Sequence, residues 1–187
     1  MTTEKPSWLL TYEEPEIDEI HGALMRLLAA IQAWAKAEDV ALDARIENLK
    51  RENGGEIPGE YDGFSDADCW IRETEQTMFA GLAVAIASAV DPYFKAITKK
   101  HMDAGKEPAA AKKAACAELN ALAHHADYNR ARILANCFKH SDGNISRDYV
   151  DTYDDGRNEG DEIDYRAENW KSIIDGLRLF LFQVCGT

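Results

Sequence analysis

The sequence predicts an all-α protein: an antiparallel bundle of four to five helices in one domain spanning residues 1–187. Three observations carry that expectation. Apolar residues recur almost everywhere at a helical spacing. Turn-forming residues gather in a few short stretches. No run alternates apolar and polar residues with the period of a half-buried strand. With 45% hydrophobic and 29% charged residues, the composition is that of a globular chain with a substantial core, not of a disordered one.

The first helical region rests on Ile17, Ile20, Leu24, Leu27, Ile31 and Trp34, a single stripe that continues through Leu42, Ile46 and Leu49. It reads as one long helix or as two with a break near Glu38 and Asp39. Asn53 and Gly54 suit its end. Residues 53–64, NGGEIPGEYDGF, hold four glycines and a proline and read as a loop. Ser65 with Asp68 resembles a capping box, placing the start of the second helix there. That helix carries Trp70, Met78, Phe79, Leu82, Ile86 and Val90, is apolar nearly all round, and is expected at the centre of the bundle. Its longest uncharged stretch, Gln76 to Val90, is short for a membrane span. Asp91-Pro92 is expected to kink or end it.

DAGKEP breaks the chain again, and Pro108 suits a first helical turn. A third long helix is expected through Cys116, Leu119, Leu122, Ala126, Ile133 and Cys137. An acidic loop follows, from Ser141 to about Ile163. The final helix carries Trp170, Ile173, Ile174, Leu177, Leu181 and Val184. Four consecutive apolar residues near its end, Leu179 to Phe182, span about 300° of arc, so the excess packs under the first helical region or forms a subunit interface; the favoured expectation is a two-fold interface that buries Phe180 or Phe182 between chains.

The amino terminus shows no basic segment followed by an apolar run, so no secretion signal is expected. The four cysteines, Cys69, Cys116, Cys137 and Cys185, form no CxxC pair and read as reduced thiols packed as small hydrophobes, which points to the cytoplasm. No membrane partner is expected. The net charge of −13 argues against a general nucleic-acid binder, yet residues 91–140 carry nine Lys/Arg against five Asp/Glu. Four of the five histidines lie in that window. It is either an ordinary solvated face or a local anion-binding surface.

The chemically suggestive stretch is LANCFKHSDGN, residues 134–144. Asn136 and His140 are four residues apart and share a helix face, with Arg132 two turns back. A guanidinium, an amide and an imidazole beside a helix end could hold a phosphate, and histidine could move a proton near neutral pH. The alternative is helix termination: Lys139 and His140 favour the negative end of a helix, and Gly143 lets the chain turn.

Three other features bear on metal binding. DTYDDGRNEGDE, residues 151–162, nearly fits a calcium loop, with Asp151, Asp155, Gly156 and Glu162 in register, but Tyr153 stands where an oxygen ligand belongs. His124 and His125 project about 100° apart on a helix and cannot chelate one ion together. Glu16 and Glu19 at ExxE spacing, and Asp18 and His21 at i, i+3, have spacings found in carboxylate metal sites of bundles, without a matching second motif, and Glu16, Glu19 and His21 are the ligand candidates. No metal site or cofactor is therefore assigned. The chain contains no phosphate-binding glycine loop and no dinucleotide fingerprint.

Two segments, ETEQTMFAGLAVAIASAVDPYFKAI and RARILANCFKHSDGNIS, resemble the HEPN superfamily over roughly residues 65–187. The first is similar to its long apolar helix with an acid near the end. The second is similar to its closing motif, an arginine followed by a polar residue and then, after four to six residues, a histidine. The resemblance implies a helical bundle, often a homodimer, in prokaryotic toxin–antitoxin or antiviral defence, with the arginine and histidine cleaving RNA without metal. Carried over, His140 matches the histidine and Asn136 the polar residue. The arginine position is Ala135. Arg132, with seven residues between it and His140, is the substitute candidate, and Lys139 a further phosphate contact. Bidentate phosphate clamping is the arginine's contribution, so its displacement implies a degenerate site. The expectation is thus an RNA or nucleotide-phosphate binder with catalytic candidates His140 and Arg132 and binding candidates Asn136 and Lys139. The alternatives are a non-catalytic acidic protein that takes a basic protein partner, and a bundle metalloprotein.

Overall fold

The computed structural model describes residues 14–57, 63–153 and 155–185. Six α-helices follow in order: α1 Glu14–Glu52, α2 Gly63–Asp103, α3 Pro108–Asn120, α4 His125–His140, α5 Arg147–Thr152 and α6 Trp170–Cys185. A 3-10 turn, Tyr165–Ala167, precedes α6. Among the described residues there is no strand, only an isolated antiparallel bridge between Asn144 and Glu162.

α2 organises the bundle: α1, α3, α4 and α6 all pack on it. Its Ala-rich middle explains this, because Ala80, Leu82, Ala83, Ile86, Ala87 and Val90 are buried and small residues let several helices approach one axis. α2 has the length and hydropathy of a membrane span, and its apolar surface is used in these helix contacts. It starts at Gly63, before the expected cap at Ser65, and runs through Pro92. Proline removes one backbone donor, yet the helix continues past it, with Val90, Tyr93 and Ile97 buried on either side.

α1 is one unbroken helix of 39 residues, so the break weighed near Glu38 is not there. It meets α6 through Arg178, which donates to Asp18 at 2.7 Å, and through His21 Nε2, which lies 2.9 Å from Asp175 Oδ1. The expected third long helix is two. α3 ends at Asn120, the chain turns over 121–124, and His124 takes φ 60° just before α4. His124 therefore stands outside the helix that His125 begins. α5 lies inside the stretch expected to be loop, and Tyr149 anchors it in the core at 0% exposure.

The end of α6 is also corrected. Phe180 is buried within its own chain, its ring stacked on Tyr128 at 5.0 Å between centroids, and Leu181 is buried too. Arg178 covers the ring of half-buried Phe182 at 4.8 Å. Only Leu179 is left exposed, so Phe180 cannot contribute a subunit interface. Among the cysteines, Cys137 and Cys185 are buried as expected, whereas Cys69 and Cys116 are exposed.

Candidate functional site

The outward stripe of α4 carries the residues singled out in the sequence. Ala131, Ile133, Leu134, Ala135 and Cys137 point into the core, which leaves Arg132 and Asn136 half-buried and Lys139 and His140 exposed. Asn136 and His140 thus share a face, as their spacing predicts. Arg132 is two turns away, about 12 Å along the axis. Its guanidinium turns toward the start of the helix, where Nε and Nη2 donate to Asn129 Oδ1 at 3.1 and 2.9 Å. Ala135 is 1% exposed, so the position that the HEPN motif would give to arginine faces the core. Among the described residues no hydrogen bond joins an arginine to His140.

α4 ends as helix chemistry dictates. Ser141 N–H and Gly143 N–H both donate to Cys137 O, at 2.9 and 3.2 Å. Asp142 and Gly143 have φ 51° and 84°, the left-handed region that a glycine enters freely and aspartate tolerates. This turn redirects the chain along α2 and builds a wide concavity.

That concavity is a groove of about 540 Å³ between α2 and the connection from α4 to α6. Arg72, Glu73, Gln76 and Thr77 form one wall; Phe138, Asp142, Glu162, Asp164 and Arg166 are prominent on the other. Gln76 ties the walls together: its Nε2 donates to Asp164 Oδ1 at 3.0 Å and its Oε1 accepts from Tyr165 N at 2.7 Å. Both arginines are neutralised, Arg72 by Asp68 at 2.8 Å and Arg166 by Glu75 at 2.6 Å. Among the described residues Glu73, Asp142 and Glu162 enter no ion pair. The uncompensated charge of the groove is therefore negative, and Phe138, 37% exposed, adds an apolar ring.

Behind the groove's outer wall is a half-buried arginine that sequence reasoning passed over. Arg130 Nε and Nη2 donate to the two carboxylate oxygens of Glu168 at 3.0 and 2.5 Å. Its guanidinium also sits 4.9 Å from the Tyr149 ring and 4.4 Å from the Tyr153 ring. Burial alone would favour the neutral guanidine, but the bonds and charge of Glu168 outweigh it and raise the pKa. Burial also pushes the Tyr149 phenol up to about 12, and this hydroxyl donates to Asp155 at 2.7 Å. This knot fixes the acidic connection to α4.

The metal hypotheses find no assembled ligand set. Asp151 lies in α5 paired with Arg147, Asp155 is held by Tyr149, and Glu162 belongs to the bridge with Asn144. His21 is engaged by Asp175. Among the described residues no three His, Cys, Asp or Glu side chains gather. No family model, curated protein or solved structure matches this chain.

Proposed function

We propose that the protein is a non-catalytic binding module whose groove between α2 and the α4–α6 connection receives a cationic segment of a protein partner. One observation carries this reading. This groove is lined by carboxylates that enter no ion pair among the described residues, while each of its arginines already has one. A lysine- or arginine-bearing segment would neutralise Glu73, Asp142 and Glu162, and its aliphatic stems would cover Phe138. Fluorescence anisotropy with an Arg/Lys-rich peptide tests it. Binding should weaken with salt and fall at least tenfold in Glu73→Gln/Glu162→Gln, and Lys139→Glu should leave it no weaker. Equal affinity in the groove variant would overturn the reading.

A second reading, the HEPN-like one, is favoured by the exposure of Lys139 and His140 on the face they share with Asn136. It assigns RNA or nucleotide-phosphate binding to the end of α4, in a cytoplasmic defence or toxin–antitoxin setting, with a homodimer as the working unit. With Ala135 inward and Arg132 held by Asn129, this site would bind without brisk cleavage. Incubation of labelled RNA with the purified protein should show retention that is lost in Lys139→Glu, and no fast degradation. Rapid metal-independent cleavage abolished by His140→Ala would establish a nuclease instead.

A further inference from the structure

Beyond Ala35, α1 leaves the body of the bundle, and with the first turns of α2 it forms a two-helix arm. No described residue of α1 after Ala35, and none of α2 before Ile71, is buried. Trp70 stands where the arm joins the body, and its side chain is 54% exposed. Its ring meets Trp34 of α1 in an edge-to-face contact with 6.0 Å between centroids, which holds the indole in place while leaving it open to solvent. Trp70 shares a stripe of α2 with Asp66, Glu73 and Thr77. Steps of 4, 3 and 4 residues keep the four within about 60° of arc, and all four are exposed. Asp66 lies about 6 Å before Trp70 along the helix axis and Glu73 about 4.5 Å after it. Helical side chains lean toward the N-terminus, so the Trp70 ring tilts toward Asp66 and the Glu73 carboxylate toward Trp70.

Neither Asp66 nor Glu73 enters an ion pair among the described residues, and the bases of this region are engaged or turned away. Arg72 pairs with Asp68 at 2.8 Å. Arg45 lies over the ring of Phe64, about 120° round α2 from Trp70. Lys50 and Arg51 bond Glu47 and Asn48 near the tip of the arm. Lys36 is about 160° round α1 from Trp34. Arg26 turns back over Gly22. An electron-rich indole between two uncompensated carboxylates fits a cation, and the planar guanidinium can stack on it. Glu73 and Thr77 also line the groove, so the stripe runs unbroken from the groove to Trp70. We propose that Trp70 is a second anchor for the cationic segment: one arginine enters the groove, and another stacks on Trp70 with its guanidinium between Asp66 and Glu73. Trp70 and Thr77 are about 10 Å apart along α2, a span that an extended chain covers in about three residues. The partner that fits is therefore a segment with two arginines about three residues apart. This inference rests on the groove as the receptor of a cationic segment.

Fluorescence anisotropy on the full chain tests it, with circular dichroism to confirm that each variant stays helical. The probe is a labelled peptide whose two arginines are separated by two glycines. Two further peptides carry citrulline, neutral and of nearly the same shape, in place of one arginine or the other. Trp70→Ala should weaken the diarginine peptide about fivefold and bind both citrulline peptides no more weakly than the wild type does. Trp70→Phe keeps an aromatic face and should recover part of the loss. Asp66→Asn, outside the groove, should weaken the diarginine peptide about twofold. If Trp70→Ala binds the diarginine peptide like the wild type while Asp142→Asn/Glu162→Gln loses it, Trp70 is no anchor and the groove reading stands. A Trp70→Ala variant that weakens all three peptides equally also overturns the inference, since the ring would then act through the fold and not on the second arginine. If neither Trp70→Ala nor Asp142→Asn/Glu162→Gln weakens binding, the anchor and the groove reading both fall.

Discussion

Within α1, residues up to Ala35 and residues after it have the same periodicity and different surroundings. Ile17, Leu24, Leu28, Ile31 and Ala35 are buried against α2 and α6. Leu42, Ile46 and Leu49 continue the stripe and are only half-buried, in the arm that this end of α1 forms with the start of α2, where Arg45 lies over the Phe64 ring. A regular apolar period therefore specifies a helix and the face it uses, while the number of helices that reach the face decides how much is buried. Cooperative stability should reside in the body, and the arm should open locally at much lower free energy.

The sharpest way to break that contrast is a matched pair of truncations. Phe180→Ala removes a fully buried ring stacked on Tyr128 and should cost about 3–5 kcal/mol in urea unfolding. Val40→Ala in the arm, measured where the protein is monomeric, should stay within about 0.5 kcal/mol. Amide exchange should show the same division, with fast exchange over residues 38–50 and near-global protection over residues 79–90. Comparable costs for the two substitutions would mean that the arm is part of the cooperative core.

Next in size is the knot behind the groove. Arg130→Met leaves half-buried Glu168 without its bidentate partner and should cost about 2–3 kcal/mol, at or below the range seen when one member of a fully buried pair is removed. Adding Glu168→Leu should recover much of that loss, which a purely steric effect of the methionine would not. Because the knot holds the acidic connection, the single variant should also weaken cationic-peptide binding.

Gly176→Ala tests how closely α4 and α6 approach. A Cβ on Gly176 would lie 2.5 Å from Asp127 Cβ, an atom close to the backbone that cannot swing aside. Overpacking of this kind costs about 1–3 kcal/mol. Gly81→Ala, where nothing lies within 4 Å of the added atom, serves as the control and should be neutral or slightly stabilising.

The same distinction explains what could be read from the sequence. The helices with long apolar stripes, α1, α2 and α6, were legible, since their period is local information. The break between α3 and α4 was not, because residues 121–124 contain no glycine or proline and His124 supplies the left-handed turn unaided. α5 was hidden because it is only six residues long and is held by Tyr149 docking into the core. At the site, the shared face of Asn136 and His140 follows from spacing, and so does the turn at Gly143. The groove does not, since Arg72 and Arg166 are 94 residues apart in the sequence and no pattern in either segment names the other. Arg130 could have been marked as the one other arginine near the start of α4, but its partner Glu168 is 38 residues away.

The smallest expected effect is a pH dependence confined to the body, since the arm segments 36–57 and 63–70 contain no histidine. His125, at the first position of α4, packs against the rings of Tyr128 and Phe180 at 6.2 and 6.3 Å. Burial, and then the nearby charge of Arg132, hold its pKa below the ordinary 6.5. A histidine whose folded pKa is depressed takes up its proton more readily in the unfolded chain. Its contribution to stability is therefore complete above about pH 6.5 and is lost as pH falls toward the folded pKa. Other groups titrate in the same range, so the test is a difference. The stability of the wild type minus that of His125→Phe, from urea unfolding at pH 7.5, 6.5 and 5.5, should become less favourable to the wild type with acid. Arg132→Gln removes the second cause and should reduce, without abolishing, that trend. If wild type and His125→Phe follow parallel curves over this range, proton uptake by His125 is not linked to folding, and the packing of α4 on α6 has no part in the acid response of the body.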